Sequence, residues 1–299
     1  MGKEIPATKI SIRDAVLKLE SARNSIVISY IALQNALITS DDAPVFVDSI
    51  EQMNPSGSKI KKLDLFLHSS GGFLDSAYKI VRIFKEYSEE FNVIVPHVAK
   101  SAATVICLGA NEIVMTSYAE LGPIDPIIQH PYKPEVKVPA RSIRDFFDFL
   151  NQTETEITVD DQIKKKMAGL LDPYLIGSYQ SALKSSKQIA EMLLKETPLK
   201  NNPDKLKNAV DQLTERYHSH GFAIDRGIVR DLGLNVKKAE DDRPLIESIR
   251  LLFNVYQEFM RRNNIIKLIG NREANRHIQL PPQVPTKEGP PESTSIMFS

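Results

Sequence analysis

This 299-residue sequence predicts an α/β fold with a mainly parallel sheet, and three observations predict it. Between Leu63 and Asp125, short β-rich runs alternate with helical patterns. The β-rich runs lack clean polar alternation, which marks strands covered on both faces. Two of them end in small-residue turns that open helices, His68-Ser69-Ser70-Gly71-Gly72 and Lys100-Ser101-Ala102-Ala103-Thr104.

The elements follow in order. A helix is expected from about Ser11 to 22, and a first strand over 25–30, Ser-Ile-Val-Ile-Ser-Tyr. Val45, Val47, Ile50 and Met53 are spaced as one helix face, with Pro44 tolerated in the first turn. Strands are expected at 63–68, 92–98 and 112–115, separated by helices at 73–87 and 101–109. The first of these helices carries Ala77, Ile80, Val81, Ile83 and Phe84 on its apolar face; the second is small and apolar enough to be buried. From Pro139 onward the patterns are helical: 141–150, a long one at 163–195, and a piece from Asn201 to about Tyr217. A short extended stretch at 218–225 precedes a helix that stops at Gly233, and a last amphipathic helix covers 244–262. The domain reading is residues 1–240 as the α/β unit, 241–271 as a C-terminal helix, and 272–299 as a proline-bearing, disordered tail.

Composition narrows the function. Lys plus Arg and Asp plus Glu number 38 each, so no net charge argues for nucleic acid as a partner. The lone Cys107 cannot form an intramolecular disulfide and sits in an apolar helix as a packing thiol. No Cys/His cluster has metal-ligand spacing, so no metal or cofactor is expected. The N-terminus lacks a signal-peptide core and no window is apolar enough to span a membrane; a cytoplasmic protein is the expectation.

Helix N-termini offer unpaired N–H groups and partial positive charge. A serine on one such terminus beside a glycine-bare turn suits acyl chemistry, which needs a nucleophile, a base and donors for an oxyanion. Ser101 fits the first role, although the G-x-S-x-G pattern is absent. Serine is also an ordinary N-cap, and Gly71-Gly72 an ordinary turn, so each signal taken singly has a structural alternative.

Those two turns, with Pro96-His97-Val98-Ala99 before the serine, Gly109-Ala110-Asn111-Glu112-Ile113-Val114-Met115, and Leu121-Gly122-Pro123-Ile124-Asp125-Pro126, resemble the serine dehydrogenase proteinase family. That family is similar to signal peptide peptidase A and to the proteolytic subunit of Clp protease, all built on the Clp/crotonase spiral of ββα units. The likeness covers residues 20–130 well and reaches weakly to Ser219-His220 and Ile228 to Leu234. It implies Ser101 as nucleophile, and backbone amides at Gly71, Gly72 and Ala102 as the oxyanion hole. Two departures are Ser70, where relatives have proline, and Ala103, where they have glycine.

The base is less defined. The resemblance puts Asp125 where the Clp subunit has its histidine, but a carboxylate accepts a hydroxyl proton poorly unless burial raises its pKa. His220, then His218, are the imidazoles best suited to the task. Lys100 adjoins Ser101, yet neighbouring side chains diverge as a strand enters a helix. Lys133, Lys137 and Lys164 to Lys166 stay unranked. The expected function is an ATP-independent serine peptidase, homo-oligomeric like its relatives, acting on peptides or unfolded proteins. A silent oligomeric scaffold and a crotonase-like acyl-CoA enzyme are the alternatives. A dehydrogenase is not expected, since no G-x-G-x-x-G follows a strand.

Overall fold

The computed structural model describes residues 10–33, 36–130, 133–151, 160–170, 172–217, 219 and 221–279. Helix α1 (Ile12–Arg23) is capped by Ser11, whose hydroxyl accepts the Asp14 N–H at 3.1 Å. The chain continues through β1 (Ile26–Ala32), α2 (Asp42–Met53), β2 (Ile60–His68), α3 (Leu74–Tyr87), β3 (Ser88–Val95), a short β4 (Val98–Ala99), α4 (Ala102–Leu108) and β5 (Glu112–Met115). Next come β6 (Glu120–Leu121), the hairpin β7 (Ile127–His130) and β8 (Lys133–Pro139), then α5 (Ala140–Asn151), α6 (Asp161–Ala168), α7 (Pro173–Leu194) and α8 (Pro203–Asp211). The last elements are β9 (Ile224–Asp225), α9 (Arg226–Asp231), β10 (Val236–Lys238), α10 (Arg243–Arg262), β11 (Ile265–Gly270) and β12 (Asn275–Gln279).

The main sheet has seven strands in the order β10-β5-β3-β2-β1-β11-β12. From β1 to β10 every pairing is parallel; β11 and β12 join antiparallel at the β1 side. Successive strands β1, β2, β3 and β5 step one way across the sheet, and the intervening helices pack on one face. Leu63, Leu65 and Leu67 of β2 meet Phe46 of α2, Ile80 and Phe84 of α3 and Ile106 of α4 in that core. The alternate residue Phe66 faces the other way, onto α1 and α10, among Val16, Ile249, Leu252 and Tyr256. This is the period-2 alternation of a strand buried on both faces. Each such side chain, taken wholly out of water, contributes about 1.5–3 kcal/mol. The α/β fold with a mostly parallel sheet is the one expected.

A buried ionic knot ties the sheet near the strand starts. Arg23 Nε donates to Asp64 Oδ2 at 2.6 Å and Nη1 to Glu112 at 2.7 Å, and Ser25 Oγ and Asn92 Nδ2 each reach Asp64 at 2.9 Å. One guanidinium thereby joins α1 to β2 and β5.

Three expectations need correction. The long helix expected over 163–195 is two helices: α6 stops before Gly169, and α7 restarts at Pro173, capped by Asp172. Proline is preorganised for a first turn and hostile to a helix interior. The C-terminal helix is followed by two strands, not by an irregular tail from 272; 280–299 lie outside the described residues. The strand expected over 92–98 begins earlier, at Ser88, and pauses at Pro96 before β4. Cys107 is fully buried, and that burial pushes its thiol pKa up, as a packing role requires. Among the described residues, no helix is long and apolar enough to cross a membrane.

Candidate active site

The parallel strands β2 and β3 deliver their C-terminal ends to one place, where open α/β sheets bind ligands. Backbone bonds join the two exits: Ser69 N–H donates to Val98 O at 2.9 Å, and Lys100 N–H donates to Ser69 O at 3.0 Å. The glycine turn then passes directly beneath Ser101. Gly71 has φ +117, and a Cβ there would lie 2.9 Å from Ser101 Cβ and 2.8 Å from Lys100 O, an approach only glycine permits. Gly72 lies against Ile38. Ile38 N–H donates to Gly71 O, and Phe73 N–H donates to Ile38 O, both at 2.9 Å.

Ser101 itself is half-buried, with φ 53 and ψ −119. A non-glycine residue in so sparsely populated a region costs on the order of 1–3 kcal/mol, so its surroundings must impose it. Thr104 is central to that imposition. Its hydroxyl lies 2.9 Å from Ala99 O and 2.8 Å from Gly122 O, and accepts the Gly122 N–H at 3.1 Å. The first turn of α4 is thus fastened to both the strand before Ser101 and the turn after β6. Ser101 Oγ makes no capping bond to α4, so the N-cap alternative fails on geometry.

Among the described residues, the N–H groups of Gly72 and Ala102 at this place, like that of Ser101, have no acceptor. The Gly71 N–H differs: it donates to the buried Ser69 Oγ at 3.1 Å. Acyl transfer needs donors of this kind, placed where charge develops.

The candidate bases divide. Lys100 Nζ is 2.7 Å from Glu120 Oε1 and donates to Gly221 O at 2.8 Å, and it makes no hydrogen bond to Ser101. Its stem lies over Gly122. Asp125 is buried, 6% exposed, in the turn after β6. His218 and His220 lie outside the described residues, but the chain that follows them is placed. Ile224 of β9 pairs with Leu121 of β6, which pairs with Ala99 just before the serine. Lys100 therefore ties the Gly221 carbonyl to the strand end that leads into Ser101.

His68 and His97 stack at 5.6 Å between ring centroids, nearly parallel, and both meet Phe253 of α10 edge-on. They belong to the α10 side of the sheet and form a packed rim. Burial first, and then the His97 charge, lower the His68 pKa from 6.5 to about 4. The folded protein thus favours neutral His68 while the unfolded chain takes up a proton more readily. Stability from this group is present above pH 6.5 and lost as pH falls through about 4; its full size is up to about 3 kcal/mol. Denaturant titrations of wild type and His68→Phe between those pH values check this. The wild type should lose more stability than the variant on acidification, and parallel curves would refute it.

Sequence reasoning gave no role to Ile38 or Thr104. Thr104 stands inside the serine motif, where its side-chain bonds are invisible. Ile38 lies far upstream, in an irregular stretch with no turn or capping signal.

The family model for ClpP-like SDH-type serine proteinases matches residues 5–279. The chain belongs to this family. Two relatives of this chain are uncharacterized proteins of Methanocaldococcus jannaschii. One is 28% identical over 263 residues, covering 84% of this chain and 80% of the relative. The other is 28% identical over 232 residues, covering 74% and 70%. Among solved structures, a serine-to-alanine mutant of a membrane-bound stomatin-specific protease aligns at 14% identity and TM-score 0.40, over 80% of this chain and 85% of that one.

Proposed function

We propose that this chain is a serine peptidase in which Ser101 attacks the carbonyl of a peptide bond. His220 takes the hydroxyl proton, and the amides of Gly72 and Ala102 hold the oxyanion of the tetrahedral intermediate. Collapse expels the amine, protonated by the imidazolium, and leaves an acyl group on Ser101. Water activated by the same imidazole then hydrolyses that ester. Asp125 orients the imidazole and stabilises its charged form, the part a buried carboxylate plays in a triad. Gly71 serves by close approach, since its own amide is spent on Ser69. The reading assigns no role to a nucleotide or metal.

One observation carries this reading: the positive φ of Ser101 above two unspent amides. A serine that merely capped α4 would adopt extended backbone and accept a first-turn N–H of the helix with its oxygen. A thioester enzyme would use the paired amides but would gain nothing from a strained serine.

Fluorophosphonate labelling with mass mapping tests it. The adduct should sit on Ser101 and vanish in Ser101→Ala. His220→Ala should slow labelling by about 10²- to 10⁴-fold. A folded wild type that takes no label would overturn the peptidase reading, and coenzyme A binding would then be measured. The same variants test the strain. Ser101→Gly should be about 1 kcal/mol more stable than Ser101→Ala, because only glycine relieves the backbone.

A further inference from the structure

Ile38 is gripped on both sides by a buried ion pair that the peptidase reading does not use. Asp42, at the start of α2, and Lys267, in the middle of β11, are 3% and 6% exposed. Lys267 Nζ lies 2.7 Å from Asp42 Oδ1 and donates to Leu37 O at 2.9 Å. Asp42 Oδ2 accepts the Thr39 N–H at 2.9 Å and the Tyr30 hydroxyl at 3.1 Å. The residues immediately before and after Ile38 are thus fixed by the lysine and the aspartate respectively. Ile38 in turn spends its own N–H and carbonyl on Gly71 O and Phe73 N–H.

In an extended segment, alternate peptide groups face opposite ways. With Gly71 O and Phe73 N–H turned toward Ile38, the Gly72 N–H is turned away from it. We infer that Asp42 and Lys267 are positioning residues for the oxyanion hole: they hold Ile38, and Ile38 aims the Gly72 amide. This rests on the peptidase reading and adds to it a residue from the C-terminal strand. A buried charge is costly unless paired and hydrogen-bonded. Here the charges meet each other, two backbone groups beside Ile38 and one buried phenol, so their placement has a geometric consequence as well as an energetic one.

The test compares Lys267→Met and Asp42→Asn with Arg23→Met, which breaks the other buried ionic knot, at β2 and β5. All are assayed at a temperature where circular dichroism shows them folded. The readouts are the rate of fluorophosphonate attack on Ser101 and the KM-against-kcat split on a peptide ester. Both clamp variants should lose at least tenfold in acylation rate and kcat, with KM within about twofold, since a misaimed amide harms the transition state more than substrate binding. Arg23→Met should keep its rate within twofold despite its stability loss. The inference is overturned if a folded clamp variant acylates at the wild-type rate, or if Arg23→Met slows equally, which would make the effect one of general stability. If Lys267→Met does not fold, Asp42→Asn decides, since it retains an oxygen acceptor for Thr39 and Tyr30. A folded wild type that takes no label overturns the peptidase reading first; a labelled wild type with fully active clamp variants overturns only this inference.

Discussion

Gly71→Ala is expected to lower acylation of Ser101 by about 10²- to 10³-fold, the scale of losing an oxyanion donor. The added methyl would stand 2.9 Å from Ser101 Cβ and 2.8 Å from Lys100 O, closer than real Cβ atoms come. Neither neighbour can yield. Ser101 is fastened through Ala103 N–H to Lys100 O and through Thr104 to Gly122, and the φ of +117 is itself hostile to alanine. The turn must move, and the Gly72 amide moves with it. Gly72→Ala should cause a loss of similar size by another route, since its methyl would fall 2.3 Å from both Ile38 N and Ile38 O and break that bridge. Stopped-flow labelling, with thermal melts on the same samples, checks both. A Gly71→Ala protein that acylates within threefold of wild type would refute the placement of the turn beneath the nucleophile.

Arg23→Met should cost the fold about 3–5 kcal/mol, the penalty for stranding a buried charge. Asp64 is completely buried, and its remaining partners, Ser25 and Asn92, are neutral. Glu112 loses its partner as well. The contrast is with surface pairs such as Arg243–Glu247, which is exposed and carries no such expectation. Replacing both partners, as Arg23→Met with Asp64→Leu, should recover much of the loss, because no charge is then left without a counterion. Urea unfolding of the single and double variants measures this. A single-variant loss below 1 kcal/mol would show that the knot contributes little.

Much of this architecture was legible in the letters. The strand at Glu112–Met115 matches its expected bounds, and α3 and α10 follow the apolar spacing that predicted them. The two turns were legible because glycine and serine stand where strands become helices. What could not be read was conformation. Serine before a helix spells an N-cap whether or not its φ is positive, so the strained backbone of Ser101 left no mark on composition or spacing. Lys267 carried no signal of its burial. A lysine interrupting Ile-Ile-Lys-Leu-Ile reads as solvent-facing, and the run directly after α10 carries no turn signal long enough to announce a new strand. Its counterion, Asp42, is distant in sequence, and only folding brings the pair together. Gly71 and Gly72 were read as two equal donors. The Ser69 hydroxyl separates them, and nothing short of coordinates assigns that proton.

The antiparallel strand β11 completes the molecule from its far end. Residues 26–115 carry the parallel strands, the serine and the glycine turn, yet Lys267, which bonds Leu37 O and Asp42 on either side of Ile38, is translated long afterwards. On the proposed peptidase reading, a ribosome-bound chain emerges with Ser101 present and the Gly72 amide not yet braced. On that reading, acylation of Ser101 waits until β11 is released and docks.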